Sequence, residues 1–357
     1  MKGKKICVFI RSLANGGAEK QSLLLTKALK DHHDTYLFVL DKDPLLEKHL
    51  RTVEREQIQL QILEGNVLKK ALAFRKFVKQ HGIDVVFAHL PSDTFFSGIV
   101  GRFSGVKHLF GGLRNAWVAG HKRRAMKFMH NKVLNYSISN SHAGKTYLKD
   151  YGFKQDSFLV MPNGIEIKVK PIVRPEKKEV HIITVGRFVA QKDYLTAIRT
   201  VYQMMQQYVL PVKVKYHIVG YGEMEEQIRS WIKEYGMEAH IELHLNPPNV
   251  PELYQQADVY LCSSLFEGLS NTVMEAMTYS LPLVATDAGD NRYLIQEGKN
   301  GFVLPLSDVE GLAASLYELV SSHELRMRMG QHSYQRITSE YSYETFQRNY
   351  LQLVENL

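Results

Sequence analysis

The 357-residue sequence has only two cysteines, Cys7 and Cys262, each inside a short apolar run and far apart in the chain. That scarcity excludes a disulfide framework and a cysteine-based metal site, and both read as buried thiols. Long apolar runs are missing too: nothing approaches the ~18–20 residues that a membrane-spanning helix needs. Met1 to Ile10 is a short basic stretch leading straight into a strand-like run. It has neither the apolar length nor the small-residue cleavage site of a signal peptide, so a cytoplasmic chain is expected. No three-glycine dinucleotide fingerprint occurs. Asn15-Gly16-Gly17-Ala18-Glu19 and Gly220-Tyr221-Gly222 both stop short of one, which gives a dehydrogenase little support. Short repeats and low-complexity tracts are absent. Acidic residues vanish altogether from 94 to 149, where ten side chains are basic.

What is present is the balance of an ordinary globular protein, 45% hydrophobic and 23% charged, at a length that suits two domains. The net charge of +8 is unevenly spread. Residues 1–165 carry 27 Lys/Arg against 13 Asp/Glu, so the first part is strongly basic and the remainder mildly acidic. Such a field favours an anionic partner for the first half: phosphate, nucleic acid or an anionic membrane surface.

Strand-like runs alternate with helical patterns throughout. In the first half the strands are expected at Ile6–Arg11, Asp34–Leu40, Ile58–Leu63, Asp84–His89, Lys107–Gly111, Ser137–Ser141 and Ser157–Met161. Helices such as Glu19–Lys30, Val67–Gln80 and Thr94–Phe103 lie between them, and the rhythm repeats from Val180 to Thr286. This alternation means β-α-β units and parallel sheets covered on both faces. Met161-Pro162-Asn163-Gly164 is a turn signature. The expected division is a first domain over 1–165, a Pro- and Lys-rich linker over 166–178, a second domain over 179–340 and a terminal helix over 341–357. That helix either packs on its own domain or crosses back to the first; both remain open.

Three segments carry chemistry. In the first, the apolar run Val259–Cys262 leads into a loop bearing Glu267, and a helix begins near Ser270. Ligands of open parallel sheets bind outside the carboxyl ends of the strands. The first N–H groups of that helix, at Asn271 and Thr272, suit a phosphate. Glu267 and Glu275 can both reach one ligand, and a carboxylate holds sugar or ribose hydroxyls well; two solvated glutamates are the plain alternative. In the second, Val185 to Asp193 ends another strand and opens the next helix, with Arg187 and Lys192 in the connecting loop, a pair suited to clamp a pyrophosphate. Solvated surface cations are the alternative there. In the third, Gly16-Gly17 lets the backbone approach a ligand closely.

Taken in order, these segments resemble the family 4 retaining glycosyltransferases of the GT-B fold over essentially the whole chain. The matching residues include Gly16-Gly17-Ala18-Glu19, Asp84 to His89, Ser139-Asn140-Ser141 and Pro162-Asn163-Gly164. They continue through Val185-Gly186-Arg187 with Lys192, Val219 to Glu223, Ala257-Asp258-Val259, the Glu267/Glu275 segment and Gly298 to Phe302. The resemblance implies an α/β protein with two Rossmann-like domains facing across a cleft. It implies a nucleoside diphosphate sugar held mainly by the second domain: Arg187 and Lys192 on the diphosphate, Glu275 on the ribose, Glu267 at the donor sugar. Gly16 and Gly17 would approach from the other domain. It also implies retention of anomeric configuration with no metal and no cofactor. His89 matches an acceptor-side position, or is a satisfied core histidine. Where many relatives carry a further first-domain histidine, Arg114 and Asn115 stand here, as replacements or as structural residues. After Ile241–Leu243 the family's usual glycine is missing, and His244-Leu245-Asn246 stands in its place.

Asp41-Lys42-Asp43 spells a metal-binding motif of other transferases, yet it follows only the second strand among Lys and Pro, so a solvated turn is expected and no metal is assigned. From His121 to Lys132, Ala125, Met129 and Val133 share a helical face among cations. Such a helix could lie on an anionic membrane or hold a lipid-linked acceptor's phosphates, or could simply cover the sheet. The reading is a transferase using a uridine diphosphate sugar and a glycan or polyprenyl-diphosphate-linked acceptor for surface polysaccharide, in the cytoplasm or at the inner face of the membrane. A sugar-nucleotide epimerase or hydrolase is the enzymatic rival. A nucleic-acid-binding protein is disfavoured, because no such motif occurs and aromatics are not interleaved with the basic stretch.

Overall fold

The computed structural model describes residues 3–14, 16–113 and 120–357. The chain divides into two compact units: Met1–Gly164 together with Tyr343–Leu357, and Ile165–Ser342.

The first unit is built on seven strands: β1 Lys5–Ile10, β2 Asp34–Val39, β3 Gln59–Ile62, β4 Val85–Ala88, β5 His108–Gly112, β6 Tyr136–Ser139 and β7 Phe158–Val160. They pair in parallel in the order β3-β2-β1-β4-β5-β6-β7. Ile6 through Ile10 are wholly buried, and the two-residue period splits them between faces. Cys7 and Phe9 join Phe38 and Phe74 on one side, whereas Ile6, Val8 and Ile10 meet the helix Gly17–Lys30 on the other.

The terminal helix Tyr343–Glu355 packs on this first unit, which decides between the two placements its sequence left open. Phe346, Tyr350 and Val354, spaced four apart, enter the core beside Leu25 and Leu29. Tyr350 meets Phe87 edge-on at 5.8 Å. The Gln347 amide donates to Ala28 O at 3.0 Å, and Lys4 Nζ donates to Val354 O at 2.7 Å. Burying three such side chains contributes roughly 1.5–3 kcal/mol each.

The basic stretch is helical from Gly120 to Phe128 and continues as a π-turn over Met129–Val133. Its buried side chains are Met126, Met129 and His130, while Ala125 is exposed. Met129 and Val133 face the helix Pro91–Ser104, as expected, whereas Ala125 is exposed and Met126 is buried in its place.

In the second unit, β8 Glu179–Arg187, β9 Lys213–Tyr221, β10 Ile241–Leu245, β11 Val259–Cys262, β12 Leu283–Thr286 and β13 Gly301–Leu304 form a parallel sheet. Its order is β10-β9-β8-β11-β12-β13. Val180, Ile182, Tyr216 and Ile218 pack under the helices Tyr194–Gln207 and Val309–Ser321. Ile183, Val219, Tyr260 and Cys262 pack under Asn271–Thr278 on the opposite face.

Segment 166–178 belongs to this unit rather than standing apart as a linker. Arg174 is buried, and its guanidinium donates to the carbonyl oxygens of Ala257 (2.5 Å), Tyr279 (2.9 Å), Ser280 (3.2 Å) and Tyr254 (3.3 Å). Burial pushes its pKa down to about 10, opposed by Asp258. A fork of five donors can satisfy several helix-end carbonyls at once.

Both sheets reverse direction once, between β1 and β4 and between β8 and β11. At such a switch point the two connections leave to opposite sides, and a crevice opens at the carboxyl ends of the two strands.

Candidate nucleotide-sugar site

The second switch point gathers the main candidates. Arg187 is the last residue of β8, and Lys192 closes the single 3-10 turn Ala190–Lys192 that follows. Asp193 then adopts a left-handed conformation (φ 46°) and caps the helix Tyr194–Gln207, its carboxylate accepting from Thr196 N at 3.3 Å. From the neighbouring strand β11 comes the loop Ser263–Ser270 with Glu267. The two loops are stitched together. Gln191 Nε2 donates to Phe266 O at 2.6 Å, Leu265 N to Gln191 O at 2.8 Å, and Ser263 Oγ reaches Lys192 O and Asp193 O, both at 2.9 Å.

Across this seam Lys192 Nζ lies 2.6 Å from Glu267 Oε1, with the side chains only 16% and 11% exposed. Ser264 Oγ donates to the same oxygen at 2.8 Å. Burial pulls the Lys192 pKa down, but the adjacent Glu267 carboxylate outweighs it and holds the ammonium above the usual lysine value. Arg187 is close enough to lower that value electrostatically, and its own side chain is exposed. A carboxylate, a buried ammonium and an exposed guanidinium thus share one sheet edge. Glycines leave room for them: a Cβ at Gly186 would press on Lys192 Cε at 3.2 Å, and Gly289 (φ 60°) brings its backbone against Glu267 and Gly268.

Ser270 is the N-cap of the helix Asn271–Thr278, but its hydroxyl does not cap the helix; it stands 3.4 Å from Thr272 Oγ1. The first-turn amides at Asn271 and Thr272 lie on the carboxyl edge of β11, as the sequence suggests. Glu275, half-buried one turn on, accepts from Tyr254 Oη at 3.5 Å. Burial, with Glu275 next to it, raises the Tyr254 pKa well above its usual value, so the phenol remains a donor.

In the first unit Gly16 is the N-cap and Gly17 the first residue of the helix Gly17–Lys30 that follows β1, with Glu19 folded back against Gly16. His89 is buried at the end of β4, its N–H donating to Phe9 O at 3.3 Å and its carbonyl packed against Gly112. Arg114 and Asn115 lie outside the described residues. Asp41 is engaged by Lys70 at 2.7 Å and Arg11 at 3.0 Å; chiefly the Lys70 bond holds its carboxyl below the usual range.

Several polar residues escaped the sequence. Ser264, Gln191 and Tyr254 serve the candidates through contacts that no local pattern announces. Asp93 is fully buried beside the first switch point, accepting from Leu90 N at 3.0 Å and Ser92 Oγ at 3.1 Å. Burial pushes its pKa up to about 7. The signal available was a Pro91-Ser92-Asp93 helix start directly after a strand. Finally, His181, His217 and His244 line up across three strands.

The model of Glycosyltransferase Family 4 matches residues 15–169, and that of Glycosyl transferases group 1 matches residues 166–336. The lipopolysaccharide core biosynthesis glycosyltransferase LpsE of Rhizobium meliloti is 24% identical over 48% of this chain and 49% of its own, so the chain spans about half the length of that relative. An uncharacterized glycosyltransferase of Haemophilus influenzae is 25% identical over 94% of this chain and 96% of its own. Among solved structures, HepE of Anabaena in complex with UDP superposes with a TM-score of 0.84 at 17% identity, covering 99% of this chain and 100% of that one. With two parallel sheets, each reversing once, and two family models that together run from 15 to 336, the chain belongs to the group 1, family 4 type of glycosyltransferases with the GT-B fold.

Proposed function

We propose that the protein transfers a sugar from a uridine diphosphate sugar to a glycan or polyprenyl-diphosphate-linked glycan in surface polysaccharide synthesis, with retention of configuration. The observation that carries this reading is the Lys192–Glu267 pair beside Arg187 at the β8/β11 switch point. In the reaction the bond from the anomeric carbon to the diphosphate oxygen breaks, and a bond to the acceptor oxygen forms on the same face. The acceptor proton leaves on the diphosphate. Negative charge grows on the departing group, and Arg187 and Lys192 would stabilise it from fixed positions. A bound diphosphate would replace Glu267 as the anionic partner of Lys192, turning the Glu267 carboxylate to the sugar hydroxyls. Glu275, held by Tyr254, would take the ribose. No side chain is assigned as a covalent nucleophile and no metal is invoked. The names of LpsE and of the UDP-bound HepE support the polysaccharide and uridine parts of the reading. On the acceptor side we assign His89, with Arg114 and Asn115.

The first unit would dock on an anionic membrane to reach a lipid-linked acceptor. Lys122, Arg124 and Lys132 are exposed, and so are Phe128 (61%) and Phe103 (77%) on the helix Pro91–Ser104, which packs against Met129 and Val133. Among the described residues no helix is long and apolar enough to cross a membrane.

A thermal-shift panel of sugar nucleotides, free nucleotides and pyrophosphate tests the donor. A ligand at 100 times its dissociation constant stabilises by ~2.7 kcal/mol. One uridine diphosphate sugar should raise the midpoint, and Arg187→Ala should abolish the shift. Glu275→Gln should weaken UDP roughly 10- to 100-fold, the worth of a charged hydrogen bond of ~1.5–3 kcal/mol, while leaving pyrophosphate binding intact. No shift with any nucleotide would overturn the reading. Product formed without an acceptor would favour the hydrolase instead.

A further inference from the structure

On the face of the second sheet away from the helix Tyr194–Gln207, three histidines cross three adjacent strands: His181 on β8, His217 on β9 and His244 on β10. Glu242 sits two residues before His244, so both project to one side of the edge strand. Glu242 is also directly paired in register with His217. His217 Nδ1, His244 Nε2 and Glu242 Oε2 form a near-equilateral triangle with sides of 3.0, 3.5 and 3.6 Å. All three side chains offer a ligand atom within one small sphere. Four-coordinate zinc with bonds of ~2.0–2.1 Å holds its ligand atoms about 3.3–3.4 Å apart. An ion could therefore contact all three with movements of a few tenths of an ångström.

We propose that His217, Glu242 and His244 bind one zinc ion, with water as the fourth ligand, clipping the edge strand β10 to β9. Two imidazoles and a carboxylate are a borderline donor set suited to zinc rather than to magnesium or calcium. The surroundings support the ligands. A metal-binding histidine ordinarily donates its second ring N–H to an acceptor, which fixes the tautomer. His217 Nε2 lies 2.8 Å from His181 Nδ1, and His181 Nε2 in turn faces Glu179 Oε1 at 3.4 Å. With the proton of His217 on Nε2 and that of His181 on Nε2, each donates outward along this chain and His217 Nδ1 keeps its lone pair for the ion. His244 presents its Nε2 lone pair when its own proton is on Nδ1, so binding needs tautomer shifts and no net loss of protons. The remaining Glu242 oxygen, Oε1, is held by Lys215 Nζ at 3.0 Å, which orients the carboxylate and tempers its charge. The site lies on the sheet edge formed by β9 and β10, apart from the Lys192–Glu267 pair, and is structural rather than a participant in sugar transfer.

The test is zinc stoichiometry on the full-length, tag-free protein, dialysed against chelator and titrated with zinc chloride, with cobalt(II) chloride as a spectroscopic probe. Wild type should bind one equivalent of zinc, and cobalt should show the intense visible absorption of four-coordinate geometry. Glu242→Gln and His244→Gln should lose both signals while unfolding, without metal, at the wild-type midpoint. His332→Gln, on an exposed helix position, should retain them. His181→Leu should bind zinc ~10- to 100-fold more weakly. The proposal is overturned if wild type binds no stoichiometric zinc, if the cobalt spectrum is weak and six-coordinate, or if Glu242→Gln and His244→Gln keep the ion. The last result would place the metal elsewhere; either of the others would leave the three histidines as a hydrogen-bonded row.

Discussion

The Lys192 ammonium and the Glu267 carboxylate, 75 positions apart in the chain, meet at 2.6 Å in the seam between two neighbouring strand ends. Their burial separates the consequences of losing each cation of the proposed clamp. Lys192→Met strands a carboxylate that is 11% exposed, and breaking a buried pair from one side costs about 3 kcal/mol. Arg187 is exposed, so Arg187→Ala should change stability by no more than ~0.5 kcal/mol. Both variants should lose stabilisation by uridine diphosphate sugars. Urea unfolding of the two ligand-free variants checks the difference; equal losses would contradict the buried pair.

Asp93 makes stability depend on pH in an unusual direction. Its carboxyl has an ordinary value of 3.8 and is pushed up to about 7, first by burial, against the pull of the Leu90 N–H, the Ser92 hydroxyl and the Arg11 N–H. A folded-state pKa above the unfolded one means the folded chain binds the proton more tightly. The contribution is fully present below pH ~3.8, falls as pH rises, and is gone above pH ~7. Three units amount to about 4 kcal/mol at most. Asp93→Asn keeps an acceptor for Leu90 N–H but cannot ionise. The stability difference between wild type and Asp93→Asn should therefore narrow or reverse in the variant's favour between about pH 5 and about pH 8, measured by denaturant unfolding. Parallel curves would show that Asp93 does not hold a proton in the folded state.

Membrane docking is open to a direct comparison. Wild type should float with vesicles in proportion to their anionic lipid content and be released by salt, since about 1 kcal/mol per surface cation is at stake. Replacing Lys122, Arg124 and Lys132 together by Ser should cut flotation by more than tenfold without altering UDP binding. Flotation that ignores lipid charge would leave these cations a solvated face.

Some of this was legible in the residues and some was not. The run Val259–Cys262 matches its strand to the residue, and the expected strands of the first half agree with β1 to β7 within one or two positions. Buried parallel strands must be apolar on both faces, so composition alone marks them. Glu267, Arg187 and Lys192 were visible because each lies where a strand ends and a helix begins. Ser264, Gln191 and Tyr254 were not, because a hydroxyl, an amide or a phenol beside a candidate means nothing until the loops are packed together. Segment 166–178 shows the same limit: in the chain Arg174 stands among Pro and Lys, whereas in space it meets carbonyl groups from residues 254 to 280.

By itself the sequence determined the alternation of strands and helices, and with it two parallel sheets with connecting loops at their carboxyl edges. Those follow from local periodicity and from the right-handed crossover that parallel strands require. Only the tertiary structure decided where the terminal helix packs, that Lys192 and Glu267 neutralise each other, and that His181, His217 and His244 share one face. Those outcomes depend on strand order and register. A shift of one residue in β10 would turn Glu242 and His244 to the opposite face, and no local pattern records which register was chosen.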